Sequence, residues 1–155
     1  MRIRIIAVGK IKESYLREGI DDYFKRLKRY YRLEEIEVKA SKKEGPEALK
    51  EEARQLERHL EPGSGHFTAV LTPEGKQFAT GELAQKVEGI FTSGHKSLDM
   101  IIGGEEGVPP EIKKQADLLL SLSSLTFPYQ LTRLVLAEQL YRCCKIIRGE
   151  KYHRH

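Results

Sequence analysis

The side chains of this 155-residue chain best suited to chemistry are concentrated in two loops and a tail. The first loop is Gly103-Gly104-Glu105-Glu106-Gly107, directly after the apolar run Leu98–Ile102. In open α/β sheets ligands sit at the carboxyl ends of strands, and glycine there lets backbone amides approach a ligand closely. The Lys-Ser/Thr pair of a phosphate loop is missing, as is a G-x-G-x-x-G on the first strand. Glu105 and Glu106 would repel a di- or triphosphate. A neutral or cationic ligand with an apolar body suits this loop better, and the plain alternative is a tight turn with a glycine cap.

The second loop is Ser123-Ser124-Leu125-Thr126-Phe127-Pro128, leaving the apolar run Leu118–Leu122. Its hydroxyls and backbone groups suit polar edges, while Leu125 and Phe127 could sandwich a flat ring. Pro128 restricts Phe127 to extended geometry; taken alone, the segment also reads as an N-capping turn for the next helix. Two such loops on strand ends of one sheet point to one shared pocket.

The tail is Tyr152-His153-Arg154-His155, preceded by Arg142, Lys145, Arg148 and Lys151, with only Glu150 as a local acid. Aromatic and basic residues together fit base stacking with phosphate contact, whereas a frayed terminus is the ordinary expectation. Two histidines at i, i+2 make a poor metal site, and no metal is expected. His59, His66 and His95 look isolated and receive no role. Adjacent Cys143 and Cys144 point about 100° apart on a helix and read as small apolar residues, consistent with a reducing compartment.

The elements that must position these residues follow from periodicity. Apolar, β-branched runs predict strands over 2–8, 33–38, 66–71, 98–102 and 118–122, the last fully buried. Helical spacing predicts helices over 13–31, 49–60, 80–91, 110–116 and 130–147. Thr72-Pro73-Glu74-Gly75 reads as a turn and Ser41–Gly45 as a charged, mobile connection. Strands alternating with helices argue for one α/β domain spanning 1–155, with a largely parallel, Rossmann-like sheet. The last helix is apolar over well over half its circumference, more than the ~100° stripe a surface helix needs. A second subunit is the simplest cover, central burial within the monomer the other. Glu138 and Arg142 are placed to pair at i, i+4.

Lys and Arg number 27 against 23 Asp and Glu, a net charge of +4 that leans weakly toward an anionic partner. No apolar run approaches the ~20 residues of a membrane span, and the start lacks a signal-peptide pattern. A cytoplasmic location is expected.

The separated motifs, in this order and spacing, resemble the RlmH family of bacterial ribosomal-RNA methyltransferases, within the SPOUT class, over the full length. They are Ile6 to Lys10; Ile102-Gly103-Gly104 with Gly107; Ser121-Leu122-Ser123 leading to Leu125–Pro128; Leu136 to Tyr141 with Arg142; and Arg148-Gly149-Glu150 with Tyr152-His153. The resemblance implies a sheet with a C-terminal trefoil knot, over about residues 100–150, and a homodimer. It implies S-adenosylmethionine as methyl donor and N3 of a pseudouridine in 23S rRNA of the large ribosomal subunit as acceptor. Carried onto this chain, the cofactor positions are Leu71, Gly103, Gly104 and Ser123, Ser124, Leu125, Thr126, Phe127 and Pro128. The sequence departs at Tyr129, where many relatives have His.

A sulfonium cation with a flat adenine and no phosphate agrees with a glycine loop beside acidic residues. The N3 proton of a uracil ring needs a base or nearby cation to leave, with His153 the first candidate base. Arg142 and Arg154 are candidates to steady the anionic ring or hold phosphate, and Tyr152 to stack. A surface composed from two subunits, preferring assembled ribosomes to naked RNA, is expected. The alternatives are a related SPOUT enzyme acting on transfer RNA and a non-catalytic ribosome-associated protein.

Overall fold

A computed structural model describes residues 1–152. The elements run β1 (Arg2–Val8), α1 (Ser14–Leu27), β2 (Arg32–Val38), α2 (Gly45–Glu57), β3 (His66–Gln77), α3 (Thr80–Thr92), β4 (Ser97–Ile102), α4 (Pro110–Lys113), β5 (Leu118–Ser121) and α5 (Tyr129–Ile147). The five strands form one sheet in the order β2-β1-β4-β3-β5, every pairing parallel.

Helices cover both faces, which explains why the inner strands read as near-continuous apolar runs. Alternate residues of β1 divide between two cores. Ile3, Ile5 and Ala7 pack with α1, α3 and α5 on one face. Ile6 and Val8 pack with α2 and α4 on the other.

Three boundaries depart from the periodicity. α1 ends at Leu27, and residues 28–31 turn so that Tyr31 enters the core. Thr72–Gly75 is not a terminating turn but an excursion inside β3, which leaves β5 after Leu71 and rejoins it at Lys76. Gly75 permits this, because a Cβ there would stand 2.6 Å from the backbone of Leu119. β5 is not fully buried: Leu118 and Leu119 are half-exposed because the strand lies at the sheet edge. Its apolar run survives because Leu118 and Leu120 serve one core and Leu119 the other.

The excess apolarity of α5 is largely absorbed within the monomer. The helix lies between α1 and α3, and Leu134 reaches α1 where Gly19 makes room. Leu131, Val135, Glu138 and Arg142 remain as a half-buried stripe. Among the described residues, no helix is long and apolar enough to cross a membrane.

Candidate active site

β3, β4 and β5 are neighbours in the sheet although they are spread over more than fifty residues of sequence. Their carboxyl ends open together onto a cavity of about 720 Å³. Leu71, Ile102, Leu120 and Leu122 supply apolar walls, and Phe127 and the exposed Leu125 form part of the lip. The glycine loop holds its shape through a bridge between Gly104 and Gly107, with Gly107 N donating to Gly104 O at 3.1 Å. Gly107 adopts φ +79°, a conformation that favours glycine. The second loop is braced by Ser121 Oγ donating to Ser123 O at 2.9 Å and Leu125 N donating to Ser123 Oγ at 3.0 Å. α5 begins immediately after Pro128, and its first turn brings Tyr129, Gln130 and Thr132 to the cavity.

Charge around the cavity is acidic: Glu74, Glu105 and Glu106 against a single Lys113. Lys113 Nζ lies 2.5 Å from Glu74 Oε1 and holds that carboxyl down at about 2. Among the described residues no arginine lines the cavity. Apolar walls, free backbone edges and a negative rim suit a flat, uncharged ring attached to a cation, and they disfavour a polyphosphate.

Eight of the nine sequence-designated cofactor positions line this cavity: Leu71, Gly103, Gly104, Ser123, Leu125, Thr126, Phe127 and Pro128. Ser124 does not. Its hydroxyl accepts from Gln77 Nε2 at 2.8 Å and ties the loop to the end of β3.

Of the proposed RNA-facing residues, Arg142 and Tyr152 lie elsewhere. Arg142 is about 20 Å along α5 from Tyr129, at 1.5 Å per residue. It reaches Glu138 Oε1 through Nε at 2.9 Å, completing the expected i, i+4 pair, and its guanidinium lies 4.7 Å from the Tyr152 ring centroid. Tyr152 also meets Tyr141 edge-on at 4.9 Å and donates to Glu138 Oε1 at 3.3 Å. Burial foremost, then Tyr23 and the Glu138 charge, push the Tyr152 phenol up to about 12. It therefore stays protonated at neutral pH and is no base. His153 and Arg154 lie outside the described residues.

Cys143 and Cys144 are buried in the core, with burial raising their thiols to about 12 and about 11. They pack as apolar residues and are poor nucleophiles.

Two buried polar assemblies escaped the sequence reading. His66 is not isolated: its Nδ1 lies 2.6 Å from Asp99 Oδ2, which also accepts from Arg4 Nη1 at 3.0 Å. This cluster sits at the amino ends of the strands, opposite the cavity. The available signal was a charge inside each of two apolar strands, Arg4 in β1 and Asp99 in β4. The second assembly centres on Arg133, only 1% exposed, whose Nη2 donates to Glu35 and Glu37 at 2.6 Å each. Its Nη1 reaches Gly9 O at 3.2 Å. Arg133 thus pins the cavity end of α5 to β2 and the end of β1. The signal was one arginine in an otherwise apolar stretch facing an edge strand rich in glutamate.

A sequence profile described as predicted SPOUT methyltransferase matches residues 1–153. The chain belongs to the SPOUT methyltransferase family. A protein of Acetivibrio thermocellus named ribosomal RNA large subunit methyltransferase H is 49% identical, covering 99% of this chain and all of that one. Proteins of the same name from Streptococcus suis and Desulforamulus reducens are each 43% identical, again over 99% of this chain and 100% and 99% of theirs. Two solved structures share the fold of this SPOUT family member. A probable methylase family protein from Haemophilus influenzae Rd KW20 gives a TM-score of 0.54 at 11% identity, over 99% of this chain and 70% of that one. A probable methyltransferase from Bordetella pertussis Tohama I gives 0.58 at 12%, over 92% and 95%.

Proposed function

We propose that this SPOUT methyltransferase transfers a methyl group from S-adenosylmethionine to N3 of a pseudouridine in 23S rRNA of the assembled large ribosomal subunit. The observation that carries the donor is the cavity at the ends of β3, β4 and β5, with apolar walls and, among the described residues, three carboxylates against one amine. The shared name of the full-length relatives supports the acceptor. Bound there, S-adenosylmethionine supplies an electrophilic methyl group on sulfur. Leu71, Leu125 and Phe127 would flank its ring, while the backbone of Gly103, Gly104, Ser123 and Thr126 would meet its polar edges. Glu74, Glu105 and Glu106 favour its positive charge.

Orientation of the methyl toward the incoming nitrogen is the main service of this pocket. Loss of the ring proton requires a base, for which His153 is proposed, with Arg142 and Arg154 stabilising the ring anion. Glu138 is the main cause raising the Arg142 pKa, so that guanidinium remains a cation at all working pH values. Tyr152, kept as the phenol, stacks or donates.

Arg142, with the Tyr152 ring packed on it, lies too far along α5 from the cavity of its own chain to serve it, which supports a homodimer whose tail completes the partner's cavity. The half-buried stripe from Leu131 to Arg142 is the proposed contact. The proposed domain is 1–155, with about 100–150 threaded as a trefoil knot. The tight backbone pass of Gly75 against Leu119 and Leu120 supports that threading.

Ribosomes from cells lacking this gene, incubated with the protein and labelled S-adenosylmethionine, are expected to gain a methyl on N3 of a pseudouridine by mass spectrometry. Label confined to transfer RNA, or none, would refute the assignment. Mixing an inactive cavity variant with inactive His153→Ala tests the shared site. Random pairing restores about one quarter of wild-type sites if the tail acts across a two-fold interface, and none if it acts in its own chain.

A further inference from the structure

A second depression lies on the same carboxyl edge of the sheet, where β2 hands over to α2. It encloses about 530 Å³ and is lined by Lys39, Lys42, Lys43, Arg54 and Arg58, with Glu51 as its one acid. Glu51 is already engaged, by Lys43 at 2.9 Å and by Ser41 Oγ at 2.6 Å. Lys39, Lys42, Arg54 and Arg58 are exposed, and none makes an ion pair among the described residues. Four such cations around one concavity form a site for a polyanion.

The expected mobile connection over 41–45 is instead pinned in place. Ser41 N donates to the buried Glu52 at 2.9 Å, Lys43 N donates to Ser41 Oγ at 3.0 Å, and Gly45 N donates to Glu106 Oε1 at 3.1 Å. Glu106 belongs to the glycine loop, so the basic loop and the rim of the cavity are joined by a hydrogen bond. Gly9 stands between a residue of each depression. A Cβ there would stand 3.6 Å from Tyr129, which lines the cavity, and 3.8 Å from Ala40, which lines the basic groove. Cavity and groove are therefore one residue apart, acidic on one side and basic on the other. A strand placed with its target base at the cavity mouth would carry its neighbouring phosphates over the groove.

Resting on the assignment of an RNA substrate, we infer that the groove of Lys39, Lys42, Lys43, Arg54 and Arg58 holds the ribosomal RNA backbone flanking the methylated nucleotide. The charge division sorts the two substrates. The cationic methyl donor is favoured by the acidic cavity and the phosphodiester by the basic groove, so neither substrate is drawn to the other's position. Phosphate contacts of this kind set register without reading sequence.

The test is the triple variant Lys39→Ala/Lys42→Ala/Arg58→Ala, which leaves the Lys43–Glu51 pair intact. Its control is Arg32→Ala/Lys86→Ala/Lys96→Ala, an equal loss of charge among exposed residues toward the opposite edge of the sheet. The groove variant is expected to raise KM for ribosomes about ten-fold. It should also flatten the salt dependence of ribosome binding by about 0.7 in log–log slope for each phosphate no longer neutralised. Affinity for S-adenosylmethionine should stay within two-fold of wild type. Ribosome affinity equal to that of the control variant overturns the inference. Wild-type protein that binds ribosomes but methylates none would sink the functional assignment alone, since sedimentation still compares the two variants. Ultraviolet cross-links from the peptide spanning 39–58 are expected on nucleotides. Cross-links of that peptide to ribosomal protein in their place also overturn it.

Discussion

Gly103 is the position where one added carbon tests the cavity most directly. The residue follows β4 immediately, and a Cβ built on it would stand 2.3 Å from the carbonyl carbon of Gly107, 2.4 Å from its oxygen and 2.6 Å from Val108 N. Ordinary contacts at a Cβ begin near 3.4 Å, so the 107–108 peptide must retreat by about 1 Å. Those atoms are backbone and cannot rotate aside. The retreat pulls against the Gly107–Gly104 hydrogen bond that closes the loop. Overpacking of this kind costs about 1–3 kcal/mol, or roughly 2–12 °C in Tm for a chain of this length. Function should suffer more, because a displacement of 1 Å in a positioning element can cost about 100-fold in rate. Gly103→Ala is expected to weaken S-adenosylmethionine binding at least ten-fold by calorimetry and to lower kcat/KM on ribosomes about 100-fold. Gly89→Ala is the control: nothing stands within 4 Å of a Cβ on that helical glycine, and alanine there adds up to about 1 kcal/mol of stability. Binding by Gly103→Ala within two-fold of wild type would show that the glycine loop does not shape the donor site.

Arg133→Ala leaves Glu35 and Glu37 without their buried partner, although Arg17 Nη2 still lies 2.9 Å from Glu35. That residual pairing puts the loss toward the low end of the 3–5 kcal/mol seen for broken buried pairs, about 3 kcal/mol. A thermal melt should fall by roughly 6–12 °C, and an unchanged Tm would remove Arg133 as the anchor of α5. Glu52 is buried beside the glycine loop, and burial, followed by the charges of Glu106 and Glu105, outweighs the Ser41 hydrogen bond to raise its pKa. A carboxyl raised on folding lends stability below its unfolded pKa of about 4.3 and loses it as pH climbs through the folded value. Glu52→Gln keeps an acceptor for Ser41 N and is therefore expected to melt higher than wild type at pH 8, the advantage shrinking below pH 4. A pH-independent difference would contradict this.

Much of the architecture is visible in local pattern, because burial on both faces of a parallel strand forces apolar runs and helices betray their period. The five strands, the helices between them and the two loops on strand ends follow from such runs, as does the Glu138–Arg142 pair one helical turn apart. The misses share a cause. The Thr72–Gly75 excursion looks like any turn until β5 is present to receive Lys76. His66 looks isolated because two of its partners, Asp99 and Arg2, are 33 and 64 positions away.

Residue order alone determined the class of fold and the family those motifs announce. Only the tertiary structure decided what stands beside what. The order β2-β1-β4-β3-β5 brings three strand ends to one cavity and sets a basic groove next to it. The rigid length of α5 carries Arg142, and the Tyr152 ring packed on it, away from the cavity that the start of the same helix helps to build. Periodicity reports which face of an element avoids water, but it carries no record of which distant element supplies the cover.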